Sequence, residues 1–190
     1  MSEDRISAMP VPAPAELDAD LQKYFKICEE KLGLVPNVLR SYAFKPNRLR
    51  RFIDMYNEIM LSDDSPLTKL EREMIAVTVS SCNRCFYCLV AHGQQVRALS
   101  GDPVLGEHIA LNYRTAPLEP RQRVMLDYAW KLTANPNDIG DADRAALREA
   151  GFDDSAIWDI TETASFFNYT NRMAHGVELM PNAVYHGMDR

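Results

Sequence analysis

Glycine is scarce in this chain, 8 of 190 residues. No stretch alternates polar and apolar residues as a half-buried strand does. A sheet-built fold is therefore not expected. Long apolar runs are also lacking: none approaches the roughly 18–20 residues that cross a bilayer, so no membrane partner is expected. Basic residues are in deficit, with 21 Lys and Arg against 27 Asp and Glu and a formal net charge of −6. That balance disfavours a nucleic-acid partner. The one basic cluster, Lys45, Arg48, Arg50 and Arg51, reads as a solvated or subunit-contacting helix face. Residues 1–20 have neither a basic start nor an apolar core, so no secretory signal is read and a cytoplasmic location is expected. In that compartment thiols are kept reduced and lasting structural disulfides are uncommon.

What the chain does have is helical periodicity almost throughout. The reading is an all-α single domain over residues 1–190, opening with an extended, proline-bearing arm at 1–16. Helices are expected at about 17–31, 37–44, 46–61, 66–82, 84–99, 103–113, 119–134, 142–150 and 153–179, followed by an irregular tail. Thr68 and Glu71 fit a capping box, and Pro66 suits the first turn of that helix. The segment Met74-Ile75-Ala76-Val77-Thr78-Val79 is apolar on nearly every side. As a helix it must be buried in the core or an interface; its β-branched residues would also fit a buried strand.

Of the four cysteines, Cys28, Cys82, Cys85 and Cys88, three fall within seven residues. Such clustering in a reducing compartment points to redox chemistry or metal. On a helical wheel, Cys85, Cys88 and His92 fall within about 60° of one another and share an inward face with Leu89, Val96 and Leu99. Tyr87, Gln94 and Arg97 take the opposite side. Residues i and i+3 of a helix bring their α-carbons to roughly 5 Å, within disulfide range. Cys85 is expected in the first turn, where free N–H groups favour a thiolate. His92 is an i+4 neighbour of Cys88 and can take its proton. That favours Cys88 as the attacking thiol and Cys85 as the resolving one.

A metal reading competes. Cys82, Cys85, Cys88 and His92 run C-x2-C-x2-C-x3-H, close to an iron–sulfur run with His in the last place. The helical setting speaks against a cluster loop, and Cys82 and Cys28 read more simply as small packed residues. No metal or other cofactor is expected. His108, His175 and His186 lack partners at ligand spacing. Asn168, Asn171 and Arg172 are polar in an apolar helix, and read as subunit contacts or helix-end hydrogen bonds in preference to site residues.

The run Glu73, eleven residues, Cys85-x-x-Cys88-x-x-x-His92-Gly93 resembles the signature of the alkylhydroperoxidase D-like group of the carboxymuconolactone decarboxylase superfamily. Leu70-Glu71-Arg72-Glu73-Met74-Ile75-Ala76-Val77 is similar to it as well. Asn171-Arg172-Met173-Ala174 resembles the C-terminal helix of its peroxidase-related branch. The likeness implies a core family region at about 46–134 and a homo-oligomer (dimer, trimer or hexamer). It also implies an antioxidant peroxidase acting on hydroperoxide substrates. Cys88 would become a sulfenic acid and Cys85 would condense with it to a disulfide. A dithiol reductant, lipoyl or thioredoxin-like, would restore the pair. Glu73 and His92 would form a proton relay; the helical wheel alone does not select Glu73. One departure stands out: known members carry His before the second Cys, where this chain has Tyr87, a poorer base near neutral pH. A decarboxylase-type lyase and a non-catalytic, redox-responsive oligomeric module are the alternatives from other classes. As we understand the lyases, they do not use a cysteine pair, so two retained thiols argue against that reading.

Overall fold

The structure, a computed structural model, describes residues 5–190. Among these residues there are nine α-helices and no strand, as the sequence leads one to expect. Helix α1 (Ala19–Leu32) stops at Gly33, whose φ of 73° is a left-handed position glycine adopts without strain. Helix α2 (Asn37–Tyr42) follows, then α3 (Pro46–Tyr56), which starts on a proline and runs into a π turn at Asn57–Leu61. Helix α4 (Lys69–Cys82) carries the capping box: Glu71 N–H donates to Thr68 Oγ1 at 3.1 Å, and Thr68 N–H donates to Glu71 Oε2 at 2.8 Å. Pro66 lies before this cap and not in the first turn.

Helix α5 (Phe86–Ser100) ends at left-handed Gly101. It is followed by α6 (Leu105–Asn112), α7 (Pro120–Ala134) and α8 (Asp141–Glu149). Helix α9 (Asp154–Gly176) is capped by Asp153, which accepts from Ala156 N–H at 2.8 Å.

Helix α4 is the axis of the molecule. From Glu71 to Ser80 every residue is buried, and it packs against α5, α6, α7 and α9. Met74–Val77 and Val79 are fully inaccessible; burial of side chains of this kind stabilises by roughly 1.5–3 kcal/mol each. The segment that also suited a strand is thus a helix, because it is enclosed on all sides. Its one buried cation, Arg72, donates to the carbonyls of Ile59 at 3.1 Å and Ser62 at 2.9 Å. The charge sits where the π turn presents unpaired carbonyl groups. Helices α5 and α6 cross in close approach: a Cβ built on Gly106 would stand 2.5 Å from the Gly93 carbonyl oxygen.

The two ends of the chain meet. Of the expected arm, residues 1–4 lie outside the described residues. Further along, Ala8 N–H donates to Val177 O at 2.8 Å and Met180 N–H to Ile6 O at 2.9 Å. The tail expected to be irregular contains a 3-10 turn at Ala183–His186. It is fastened to α5: Arg97 donates to Tyr185 O at 2.8 Å and Gln94 to Asp189 at 2.5 Å.

Candidate active site

The sulfur pair sits where the chain turns from α4 into α5. Arg84 takes φ 54° to make the reversal, and Cys85 N–H donates to Ser80 O at 2.9 Å. This turn pulls Cys85 out of the helix. It is the N-cap, with φ −84° and ψ 102°, and not a first-turn residue as its spacing suggested. Cys88 is in the first turn and His92 one turn further on. All three are buried: Cys85 at 1%, Cys88 at 3% and His92 at 8% exposure.

The face opposite the thiols is not open to water. Tyr87, Gln94 and Arg97 are buried as well, because the C-terminal tail lies over them, while Leu99, expected inward, is 45% exposed. Periodicity within one helix cannot reveal cover supplied by a segment almost a hundred residues away. The Tyr87 hydroxyl oxygen accepts Val38 N–H at 3.1 Å, satisfying a first-turn amide of α2 whose N-cap is Pro36. Burial pushes the Tyr87 phenol well above its ordinary value. The hydroxyl is thus engaged with the backbone of α2, while the residue also lines the cavity described below.

Glu73 reaches the same place from α4. Its Oε2 lies 2.6 Å from His92 Nδ1, with Glu73 only 5% exposed. The carboxylate fixes the ring's orientation and leaves Nε2 to face elsewhere. Phe167 packs edge-on against the imidazole, centroids 4.6 Å apart.

A hydrogen bond with Cys88 lowers the Cys85 thiol to about 6, helped by a Cys88 backbone contact. The same bond, with burial, raises Cys88 well above its usual range. The contact thus pushes the two thiols in opposite directions: Cys85, at the helix N-terminus, gives up its proton more readily, and Cys88 holds its own more tightly.

Behind the pair is a polar nest that the sequence did not mark as part of the site. Asn171, fully buried on α9, donates to Ser80 Oγ at 3.0 Å and accepts from Asn83 Nδ2 at 3.0 Å. Its carbonyl oxygen is 4.0 Å from Cys85 Sγ, and its side chain and that of Ser80 both hydrogen-bond Cys88. The signal was present as Asn168 and Asn171 in a mostly apolar stretch, a residue type that must find partners when buried.

None of the remaining candidates hydrogen-bonds the thiol pair, though Cys28 lines the cavity described below. Cys82 is the half-buried last residue of α4, its thiol raised by burial. Cys28 is buried on α1 and likewise raised. His175 contacts Asn83 O at 3.0 Å and His108 contacts Thr115 at 2.9 Å, both at exposed positions. Among the described residues no three His, Cys, Asp or Glu side chains are disposed to hold a metal ion.

Cys88, His92 and Glu73 line one cavity of about 320 Å³ enclosed by α1–α5, α9 and the tail. Its walls are largely apolar and one of them is aromatic, with Tyr42 stacked on Phe52 at 4.4 Å and Phe52 on Phe166 at 5.8 Å. Burial raises the phenols of Tyr42 and Tyr56 along this wall, so it presents neutral surface to an occupant.

The carboxymuconolactone decarboxylase family matches residues 46–103. An uncharacterized peroxidase-related protein from Silicibacter sp. TM1040 is 56% identical over 100% of this chain and 99% of its own, with a TM-score of 0.96. A second, from Ralstonia eutropha JMP134 and described as an alkylhydroperoxidase AhpD core, is 41% identical over 98% of this chain and 97% of its own, with a TM-score of 0.95. The apo debrominase Bmp8 shares the fold at 16% identity, covering 98% of this chain and 97% of its own, with a TM-score of 0.78. No curated protein matches the sequence. Sequence likeness over the whole chain and the shared all-helical fold define the class: the chain belongs to the peroxidase-related branch of the alkylhydroperoxidase D-like proteins, within the carboxymuconolactone decarboxylase family.

Proposed function

We propose that this protein is a thiol-dependent peroxidase that reduces hydroperoxides through Cys88 and Cys85. The observation that carries the reading is that Cys88, His92 and Glu73 share the wall of one apolar cavity while Cys85 sits behind Cys88, out of the lining. A hydroperoxide in the cavity meets Cys88 first. His92, held by Glu73 through Nδ1, takes the Cys88 proton at its other nitrogen. The sulfur attacks the peroxide oxygen, the O–O bond breaks, and the alkoxide leaves as alcohol with the proton from His92. Cys88 is then a sulfenic acid. The Cys85 thiolate attacks its sulfur, forming the disulfide and releasing hydroxide, which becomes water on protonation. An external dithiol, of lipoyl or thioredoxin-like type, returns two electrons and two protons.

Among the described residues no helix is long and apolar enough to cross a membrane; the chemistry itself calls for a reducing setting, such as the cytoplasm. Leu111 at 86% and Trp158 at 70% exposure supply apolar surface for a homo-oligomer.

Thiol labelling and mass spectrometry, before and after substoichiometric peroxide, test the scheme. A Cys85–Cys88 disulfide is expected in the parent. Cys88→Ser abolishes it, and Cys85→Ser traps a sulfenic acid on Cys88. If both single variants consume peroxide like the parent, the scheme is wrong.

A further inference from the structure

We propose that the hydroperoxide taken by this cavity is amphiphilic and acidic, its apolar body lying against the aromatic wall and its anionic head group held at the mouth by Lys45 and Arg48. The inference rests on the thiol-peroxidase reading and names the substrate class of the same site. The cavity falls at the small end of ordinary ligand sites, roughly 300–1,000 Å³, and its lining is overwhelmingly apolar. Hydrogen peroxide has no apolar body to bury there and would leave that wall unused.

The charges of the lining are few and ordered. Among the described residues Glu73 is its one carboxylate, deep beside the thiol and occupied by His92. Apart from His92, Lys45 and Arg48 are its cations, and both are exposed residues at the start of α3. Neither makes an ion pair among the described residues. The Lys45 ammonium rests 4.8 Å from the Phe44 ring centroid. Nearby Arg50, by contrast, is neutralised by Asp18 at 2.5 Å and Asp20 at 2.7 Å. A chain with net charge −6 thus places two uncompensated cations at the entrance to its apolar chamber. Their heads stay in water, where a carboxylate or phosphate keeps most of its hydration while gaining two partners. Such a ligand enters tail first, so a hydroperoxide carried on the apolar body is delivered to Cys88.

The test uses the full-length protein with the hydroperoxide of linoleic acid, its neutral methyl ester, and a lysophosphatidic acid hydroperoxide of the same acyl chain, all below micelle concentrations. In the parent, kcat/KM for the acids exceeds that for the ester. In Lys45→Gln/Arg48→Gln the acid-to-ester ratio falls about tenfold, the effect of losing two partly solvated ion pairs, through a higher KM for the acids. The head group with the larger fall, carboxylate or phosphate, is the one the mouth is built for. An unchanged ratio overturns the proposal.

A second readout does not depend on turnover: linoleate, which carries no peroxide, is expected to protect Cys88 from iodoacetamide in the parent and to need about tenfold higher concentration in the double variant. Protection without turnover of any hydroperoxide would sink the peroxidase reading and leave the anion-gated cavity standing. Turnover with neither acid preference nor protection would sink this proposal alone.

Discussion

His92 Nδ1 lies 2.6 Å from Glu73 Oε2, a contact that ties α5 to α4 across the buried centre of the molecule. The two residues are nineteen apart in sequence. Each would be a liability alone: a buried carboxylate or imidazole without a partner costs free energy, and together they satisfy one another.

Replacing Glu73 separates the structural share of this contact from the chemical one. Glu73→Gln keeps an oxygen for the His92 N–H but removes the charge that would stabilise an imidazolium. Peroxide turnover is expected to fall about 10²–10⁴-fold, the usual contribution of an acid–base group, with little change in melting temperature. Glu73→Ala leaves the ring nitrogen unpaired and is expected to cost about 1–3 kcal/mol in addition. Turnover assays beside denaturant melts on both variants check it. Full activity in Glu73→Gln would remove Glu73 from the relay.

How much of this arrangement the sequence displays differs between its parts. Helices were legible because an apolar 3.6-residue period and a Thr68–Glu71 box need no knowledge of distant residues. Glu73 was not legible from the wheel, because α4 is buried all round and no face is marked as solvent. Cys85 was placed about two positions too deep in its helix, since the left-handed Arg84 that turns the chain carries no glycine to announce it. The burial of Tyr87, Gln94 and Arg97 depends on the tail, and Asn171 on what α9 meets, which are long-range facts.

Asn171 is expected to act as a positioning residue. It holds Ser80 and Asn83 at 3.0 Å each and lies beside both sulfurs. Asn171→Ala orphans buried polar groups and should cost about 1–3 kcal/mol of stability. A purely structural role would stop there. A positioning role also shifts the pH at which the thiol pair becomes alkylatable and lowers kcat more than it raises KM. Alkylation rates against pH, with steady-state kinetics, distinguish the two.

The close crossing of α5 and α6 makes an asymmetric prediction about two glycines. A methyl on Gly106 would meet backbone at 2.5 Å, whereas one on Gly93 finds only an Arg97 side-chain nitrogen at 4.0 Å. Gly106→Ala is expected to destabilise by about 1–3 kcal/mol through overpacking. Gly93→Ala is expected to be neutral or to gain up to about 1 kcal/mol from helix propensity. This inverts what the His92-Gly93 motif suggests to the eye. Denaturant midpoints of the two variants check it, and an undiminished midpoint in Gly106→Ala would show that the crossing relaxes to admit the methyl.

The thiol pair should also leave a mark on stability as pH changes. Cys85, with its folded-state value lowered to about 6 by the Cys88 hydrogen bond, releases its proton more readily folded than unfolded. Its contribution is fully present above the ordinary cysteine value of about 8.5 and is lost as pH falls through about 6. Cys88 is raised, so its contribution has the opposite sense: present below about 8.5 and lost as pH climbs above it. The reduced parent should therefore gain stability over Cys85→Ser between pH 6 and 8, then lose part of that advantage above pH 9. Denaturant midpoints of both proteins under a strong reductant at pH 6, 7, 8 and 9.5 read this directly. A difference that stays flat across the series would mean that the charge does not reside on Cys85.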